Sequence, residues 1–572
     1  MTKRTGMRRG LTRYGDEEFS LYLRKAFIKA MGYSDDALSR PVIGIANTFS
    51  EFNACHGNAP KIVEAVKRGV MLAGGLPMEF PTISLHESFA YPTSMYLRNL
   101  MAMDTEEMML GLPMDACVLI GGCDKTVPAQ LMAAASADIP AIQVVTGPML
   151  SGTHGEQRVG ACTDCRRFWG DYRAGRIDEV EINQVESRLV PTAGTCGVMG
   201  TASTMACMTE AMGMMLPGGA TIPTVYADRQ RHAEAAGARA MMMAKEGLRP
   251  SDIITPKSIA NALRVLLAIG GSTNGVVHIA AVAGRLGIEI DMEAFDRMGE
   301  ETPVLVDLKP TGQFYMDDLH RAGGMAPILR ELKPLLNLDC ITVTGRTLGE
   351  EIDALPAGHK QNVVRPLSDP IHSGGGIAFL KGNLAGDGAI IKQSACSGEL
   401  LTHTARAVVF DSLEDLALRI DDPDLDVVAD DILILRNSGP KGAPGMPEAG
   451  YIPIPKKLAA QGVKDMVRIS DCRMSGTAFG TIVLHASPEA AVGGPLSLVE
   501  TGDTVRLDVP NRLLELEVAA GELERRRAAW TPPPGTQPER GYAKLFMEHI
   551  LQAGEGVDFD FLVKRPYTAK TP

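Results

Sequence analysis

"LIGGCDKTVPAQ", residues 119–130, ends an apolar run on two glycines and then sets Cys123, Asp124 and Lys125 side by side. The run before it, "ACVLIGG" (116–122), has the length and apolar continuity of a strand buried on both faces. "PVIGIAN" (41–47) and "AIQVVTG" (141–147) read the same way. Helical patterns fall at 16–31, 59–74, 92–103, 199–214, 227–246 and 256–269. Apolar strands alternating with helices predict βαβ units, hence an α/β domain with a parallel sheet covered by helices on both faces. Such sheets bind ligands just beyond the carboxyl ends of their strands, which is where Cys123, Asp124 and Lys125 fall.

The composition changes after about residue 365. "IHSGGGIAFLKGNLAGDGAIIKQ" is glycine-rich, and "ARAVVF", "DILILRN", "MVRISD", "GTIVLHAS" and "DTVRLDVPNRLLELEV" follow, separated by turn residues. Short strands at this spacing predict a β-barrel or sandwich. The boundary is expected within 365–385, giving an α/β domain over 1–375 and a β-rich, barrel-like domain over 376–572. "WTPPPGTQPERG" (530–541) reads as a connector before a last helix near 542–552.

The 572 residues are 45% hydrophobic and 22% charged, with a net charge of −12. The excess acid is dispersed, which argues against nucleic acid and anionic membranes as partners. The most apolar long stretch, "NALRVLLAIGGSTNGVVHIAAVAG", is interrupted by Arg264 and by a Gly-Ser-Thr-Asn-Gly loop, so no membrane span is expected. The basic start "MTKRTGMRRG" has no apolar region behind it, so no secretory signal is read and a cytoplasmic location is expected. The ten cysteines are then expected to be reduced, as buried small residues, metal ligands or catalytic groups.

A phosphate loop at 121–126 fails, because Asp124 precedes Lys125 where a glycine should stand. No G-x-G-x-x-G fingerprint occurs. "CTDC" (Cys162–Cys165) is a zinc or redox signal without a matching second pair. Cys55, Cys123 and Cys196 each sit in glycine- or turn-rich loops, at spacings that match no short zinc pattern.

Taken together, "NACHGNAP", "SLHESFAYPTSM", "GGCDKTVPAQLMA", "GTCGVMGTASTM", "GNLAGDGAIIK", "GAPGMPE" and "DCRMSGTAFG" resemble the dehydratase family that includes dihydroxy-acid, phosphogluconate and sugar-acid dehydratases. The motifs run in that family's order over nearly the whole chain. The resemblance implies an enzyme, a hydro-lyase, that removes water from a 2,3-dihydroxy acid to give a 2-keto-3-deoxy acid. It also implies dimers or tetramers.

By the same resemblance, Cys55, Cys123 and Cys196 hold a [2Fe–2S] cluster with one open iron position, so that the cluster works as a Lewis acid. Mg²⁺ falls to Glu87, Asp124 and Glu448, together with Lys125. An ammonium has no lone pair, so Lys125 joins that set only once carbamylated. Ser475 is implied as the base, held as an alkoxide, with Thr477 assisting. The cysteines lie in the first domain, and Ser475 and Glu448 in the second, so the site is expected at their interface. His56 and His86 flank the implied ligands and either touch substrate or bond locally. "GGSTNG" (270–275) and "HSGGG" (372–376) either line the pocket or turn the chain.

Branched-chain members of the family tend to carry Gly-Arg-Phe-Ser-Gly around the serine. "CRMSGTAFG", "TDCRRFW" and "FMEHILQAGEGVDFDFL" look like the sugar-acid branch, which points to L-arabinonate or D-xylonate, with D-gluconate as a further candidate. The runner-up is dihydroxy-acid dehydratase. From other classes come a non-catalytic iron–sulfur redox sensor, which would not need Ser475, and a zinc hydrolase using Cys162 and Cys165.

Overall fold

The computed structural model describes residues 4–11, 14–533 and 538–564. Four strands form the first sheet: β1 (Val42–Asn47), β2 (Leu76–Pro81), β3 (Ala116–Gly121) and β4 (Ala141–Val145). Their order is β2–β1–β3–β4, parallel throughout. β1, β3 and β4 are the three strands read from the sequence. β2, "LPMEFP", is an addition to them, and its two prolines disguise it as a non-strand. Its edge position explains why they are tolerated, since an edge strand leaves N–H positions that need no partner.

The six predicted helices form as Glu17–Lys29, Ala59–Leu72, Ser94–Gly111, Thr201–Ala211, Ala227–Glu246 and Pro256–Ala268; five keep within three residues of their expected bounds, and the third runs eight residues past its expected end at 103. Helices Ala59–Leu72 and Ala227–Glu246 cross at two glycines. A Cβ on Gly69 would stand 1.9 Å from the Glu234 carbonyl oxygen, and one on Gly237 would stand 2.3 Å from that of Val66. Helix Thr126–Ala137 was not predicted. It is buried on almost every side, so it carries no amphipathic period to read. A small hairpin, β5 (Gly152–His154) with β6 (Gln157–Val159), follows the first sheet.

The second unit is a closed eight-stranded barrel. Its strands are β7 (Ala378–Gly382), β8 (Ala385–Ile391), β9 (Thr402–Phe410), β10 (Ile432–Leu435), β11 (Arg468–Ser470), β12 (Ile482–Ser487), β13 (Thr504–Asp508) and β14 (Leu513–Leu516). Their order around the barrel is β10–β11–β12–β8–β7–β14–β13–β9. Closure leaves no edge strand to protect. Leu380, Ile391, Ile434, Ile469, Val483 and Leu507 share one apolar core.

Other barrel residues face the first unit. Phe379, Ile390, Met474 and Leu484 belong to the core of the α/β part, and Phe410 and Leu433 join Met95 and Val277. The two units therefore share buried surface along a seam.

Beyond β14 the chain leaves the barrel. Helices Ala520–Ala529 and Gly541–His549 follow, and residues 534–537 of the predicted connector lie outside the described residues. The chain then returns to the first unit. Arg98 donates to the Gly556 and Val557 carbonyls at 2.8 and 2.7 Å. Arg285 meets Asp558 at 2.6 Å, with both side chains fully buried. Among the described residues no helix is long and apolar enough to cross a membrane.

Candidate active site

The seam opens into a cleft of about 1140 Å³ at the carboxyl ends of β1 and β3. Its lining includes Cys55, Cys123, Cys196, Glu87, Asp124, Glu448, Ser475 and Thr477. Lys125 is completely buried beneath it. The thiol, carboxylate, lysine and hydroxyl residues named from the sequence therefore lie in one region.

At one end are thiols. Cys55 sits in the 3₁₀ turn Ala54–His56 after β1, where the Asn53 side chain accepts from its N–H at 3.1 Å. Cys123 follows β3 and opens helix Thr126–Ala137. One ligand atom each from Cys55, His86 and Cys123 lie within 4.8 Å of one another, a Cys–His–Cys group able to hold a metal. Cys196 approaches from the loop before helix Thr201–Ala211, with its Sγ 3.6 Å from that of Cys162. The Cys123 thiol and then burial push the Cys55 thiol well up, and Cys162 and then burial do the same to Cys196. Cys162 moves the opposite way, because Cys165 and Cys196 both bond to it.

His56 has a local role. Its Nε2 accepts the N–H groups of Gly122 and Cys123 at 3.0 and 3.1 Å, and its Nδ1 lies 2.9 Å from the Thr48 carbonyl oxygen. The ring therefore carries its proton on Nδ1 and braces the Cys123 turn. Burial pushes its pKa down to about 4.

At the other end are carboxylates. One oxygen each of Glu87, Asp124 and Glu448 lie within 4.8 Å of one another. Lys125 Nζ stands among them, bonded to Asp124, 3.3 Å from Glu87 and 3.8 Å from Glu448. Arg473, fully buried, reaches Glu448 at 2.6 Å and Glu87 at 3.3 Å. Thr93 donates to Glu87 at 2.7 Å, and Ser94 also bonds to it. Burial works against the Glu87 carboxylate, but Lys125 and Arg473 hold it well below the usual carboxylate range. Glu448 goes up, because of its burial and the Glu87 charge beside it.

Ser475 and Thr477 come from the barrel side, with their hydroxyl oxygens 2.8 Å apart. Gly476 between them lets this loop touch the α/β unit, since a Cβ there would stand 2.6 Å from Ser272 and 2.8 Å from the Thr201 nitrogen. Of the two glycine loops, "GGSTNG" contributes Asn274, which donates to Glu448 at 3.3 Å and to the Met474 carbonyl at 3.1 Å. "HSGGG" turns the chain instead, with the Gly375 N–H on the Gly299 carbonyl at 2.7 Å.

Sequence reasoning missed Arg473, Thr93, Ser94 and Asn274 as site residues. All four lie inside stretches already singled out, but nothing local marks which acid each one serves.

Residues 40–351 match the dihydroxy-acid/6-phosphogluconate dehydratase N-terminal family, and residues 362–557 match its C-terminal counterpart. The chain is 45% identical over 552 residues to an L-arabinonate dehydratase of Rhizobium leguminosarum bv. trifolii (strain WSM2304), covering 96% of this chain and 95% of that one. It is 44% identical over 531 residues to a 6-deoxy-6-sulfo-D-gluconate dehydratase of Pseudomonas putida (92% and 91% covered). It is 40% identical over 542 residues to a dihydroxy-acid dehydratase of Agathobacter rectalis (93% and 95% covered). Likeness this deep, running from the first strand to the returning tail, makes the chain a member of the dihydroxy-acid/6-phosphogluconate dehydratase family, whose named relatives here are hydro-lyases.

Proposed function

We propose that the protein dehydrates an aldonate, such as L-arabinonate or D-xylonate, with D-gluconate in the same class, to the 2-keto-3-deoxy acid and water. One observation carries this reading: thiols, carboxylates and a paired serine and threonine meet in a single cleft. The relatives at 45% and 44% identity act, by their names, on sugar acids, and the named dihydroxy-acid dehydratase stands at 40%.

The donor sets fit two different metals. Cys123 and burial raise the cost of ionising Cys55, and a soft metal that takes the thiols as thiolates would offset that cost by ligation. Cys55, Cys123 and Cys196 would hold a [2Fe–2S] cluster and leave it one position short of saturation. Glu87, Asp124 and Glu448 are hard oxygen donors suited to Mg²⁺. The Lys125 ammonium competes for the same place, so the fit requires carbamylation of its Nζ, which makes it an oxygen ligand. Together, when bound, these groups would supply Lewis-acid polarisation of the leaving hydroxyl and of the substrate carboxylate.

The chain's own residues do the rest. Ser475 Oγ, as an alkoxide favoured by positive charge nearby, takes the C2 proton. The C2–H electron pair becomes the C2–C3 double bond as the C3–O bond breaks, and the departing hydroxyl leaves as water after gaining a proton. Thr477, hydrogen-bonded to Ser475, holds that hydroxyl in line. The enol then loses its O–H proton, gains one at C3 and becomes the keto acid. Arg473 and Asn274 fix Glu87 and Glu448 in place.

The same reading divides the chain at 375/376, makes it a homo-oligomer and places it in the cytoplasm. The test is a panel of aldonates and 2,3-dihydroxy-isovalerate, run on anaerobically prepared protein with iron, sulfide and Mg²⁺ quantified. Ser475→Ala is expected to lower kcat by roughly 10²–10⁴ with metal content intact, the range for a lost proton-transfer group. Retained turnover in that variant removes Ser475 as the base. Preference for dihydroxy-isovalerate would replace the aldonate reading.

A further inference from the structure

Four arginines on or just after helix Thr163–Arg173 line the cleft. Three have carboxylate partners: Arg167 meets Asp164 at 3.2 Å, Arg173 meets Asp421 at 2.5 Å and Arg176 meets Asp171 at 2.7 Å. Arg166 has none. Its Nε is buried without a hydrogen-bond partner, and among the described residues its guanidinium makes no hydrogen bond or ion pair. Its Cζ lies 4.9 Å from the centroid of the Tyr451 ring, and its charge also favours ionisation of the nearby Cys162 and Cys165 thiols without bonding to them. Stacking satisfies a guanidinium's face and leaves its N–H donors, which lie in its plane, free.

A buried donor left unpaired costs free energy, and a site keeps one when a ligand completes it. The cleft that Arg166 lines also holds Ser475, Thr477 and Glu448. Those residues account for the carboxylate, C2 and C3 of a substrate. What remains of an aldonate is a tail of hydroxyl groups, and Arg166 offers up to five donors in a fixed fork. An alkyl tail in that place would leave the same donors unpaired. Sites built to bond a hydroxyl reject the analogue that lacks it far more strongly than apolar pockets reject an added one.

We propose that Arg166 is a specificity-determining residue: it donates to the oxygens of the substrate's tail, from C4 onward, and so selects polyol acids over acids with an alkyl tail. This rests on the aldonate dehydratase reading above. A rival role also fits its place next to Cys165, namely steadying the charge of the thiol end, and the experiment separates the two.

Arg166→Met and Arg166→Lys would be compared with the parent protein on L-arabinonate, D-xylonate and 2,3-dihydroxy-isovalerate. The readouts are kcat and KM, or the inhibition constant against the pentonate for a compound turned over too slowly. Iron and sulfide content and the visible spectrum are measured on each protein. The Met variant is expected to lose about 100-fold or more in kcat/KM for the pentonates, mostly through KM, while the value for dihydroxy-isovalerate stays within about threefold or improves. Iron and sulfide should not change, and the Lys variant should recover part of the loss.

An equal fall on all substrates, no change on any, or loss of iron in both variants overturns the proposal. A parent protein that dehydrates no aldonate overturns the functional reading along with it. A parent active on aldonates whose selectivity survives in both variants overturns only the role of Arg166.

Discussion

The two ends of the cleft handle charge in opposite ways. At the carboxylate end, Glu87, Asp124 and Glu448 face two buried cations, Lys125 and Arg473, so the protein neutralises most of its own charge there. At the thiol end no cation plays that part for Cys55: it faces Cys123, Cys196 and Asp124 in a buried place, and its thiol resists ionisation as a result. The carboxylate end is consequently held together by the fold alone, whereas the thiol end gains its full stabilisation only from something bound. The first should tolerate the loss of a metal and fail when a protein cation is removed. The second should do the reverse.

The sharpest way to break that contrast is at Cys123. Cys123→Ser is expected to lose iron and sulfide and to lower activity by 10³-fold or more, on the order expected when a Lewis acid is lost, while Mg²⁺ affinity, followed by titration calorimetry, changes little. A parallel loss of Mg²⁺ would show the two ends to be one unit. Next comes Arg473→Met. It strands Glu87 and Glu448 beside one remaining cation, and breaking a buried pair in this way costs about 3–5 kcal/mol. Thermal unfolding should register that loss while the iron content of the folded protein persists.

A smaller effect lies in acid. His56 has a folded pKa of about 4 against an ordinary value of 6.5. The unfolded chain therefore binds the extra proton first as pH falls, and the stability contributed by the neutral ring, present above pH 6.5, is lost progressively toward pH 4. Iron retention in the folded protein should hold over that window and fall only around pH 4 and below, where the folded ring takes its proton and Nε2 can no longer accept from Gly122 and Cys123. His56→Gln should flatten the decline. The smallest expected change is Thr477→Val, which removes one hydroxyl contact to Ser475 and should cost about 1 kcal/mol, several-fold in kcat.

The same contrast bears on what the sequence reveals. β1, β3 and β4 are legible because strands buried on both faces are apolar without interruption. β2 hides behind its prolines, and helix Thr126–Ala137 hides because a segment buried all round has no polar face. Cys55, Cys123 and Cys196 are visible as motif residues, and so are the three acids. Arg473 is not, because its partner Glu87 lies 386 residues earlier and no local pattern connects them. Lys125 reads as a puzzle in sequence and stays one in structure: it is a buried cation set among three carboxylates.

The returning tail has its own consequence. Arg98 and Arg285 are set in the first unit, and the groups they bond, at Gly556, Val557 and Asp558, come from the segment beyond the barrel. Displacing that segment would take two carbonyls from Arg98 and Asp558 from Arg285 at once. The segment therefore works as a latch, and it should come away together with the buried contacts it closes rather than fray by itself.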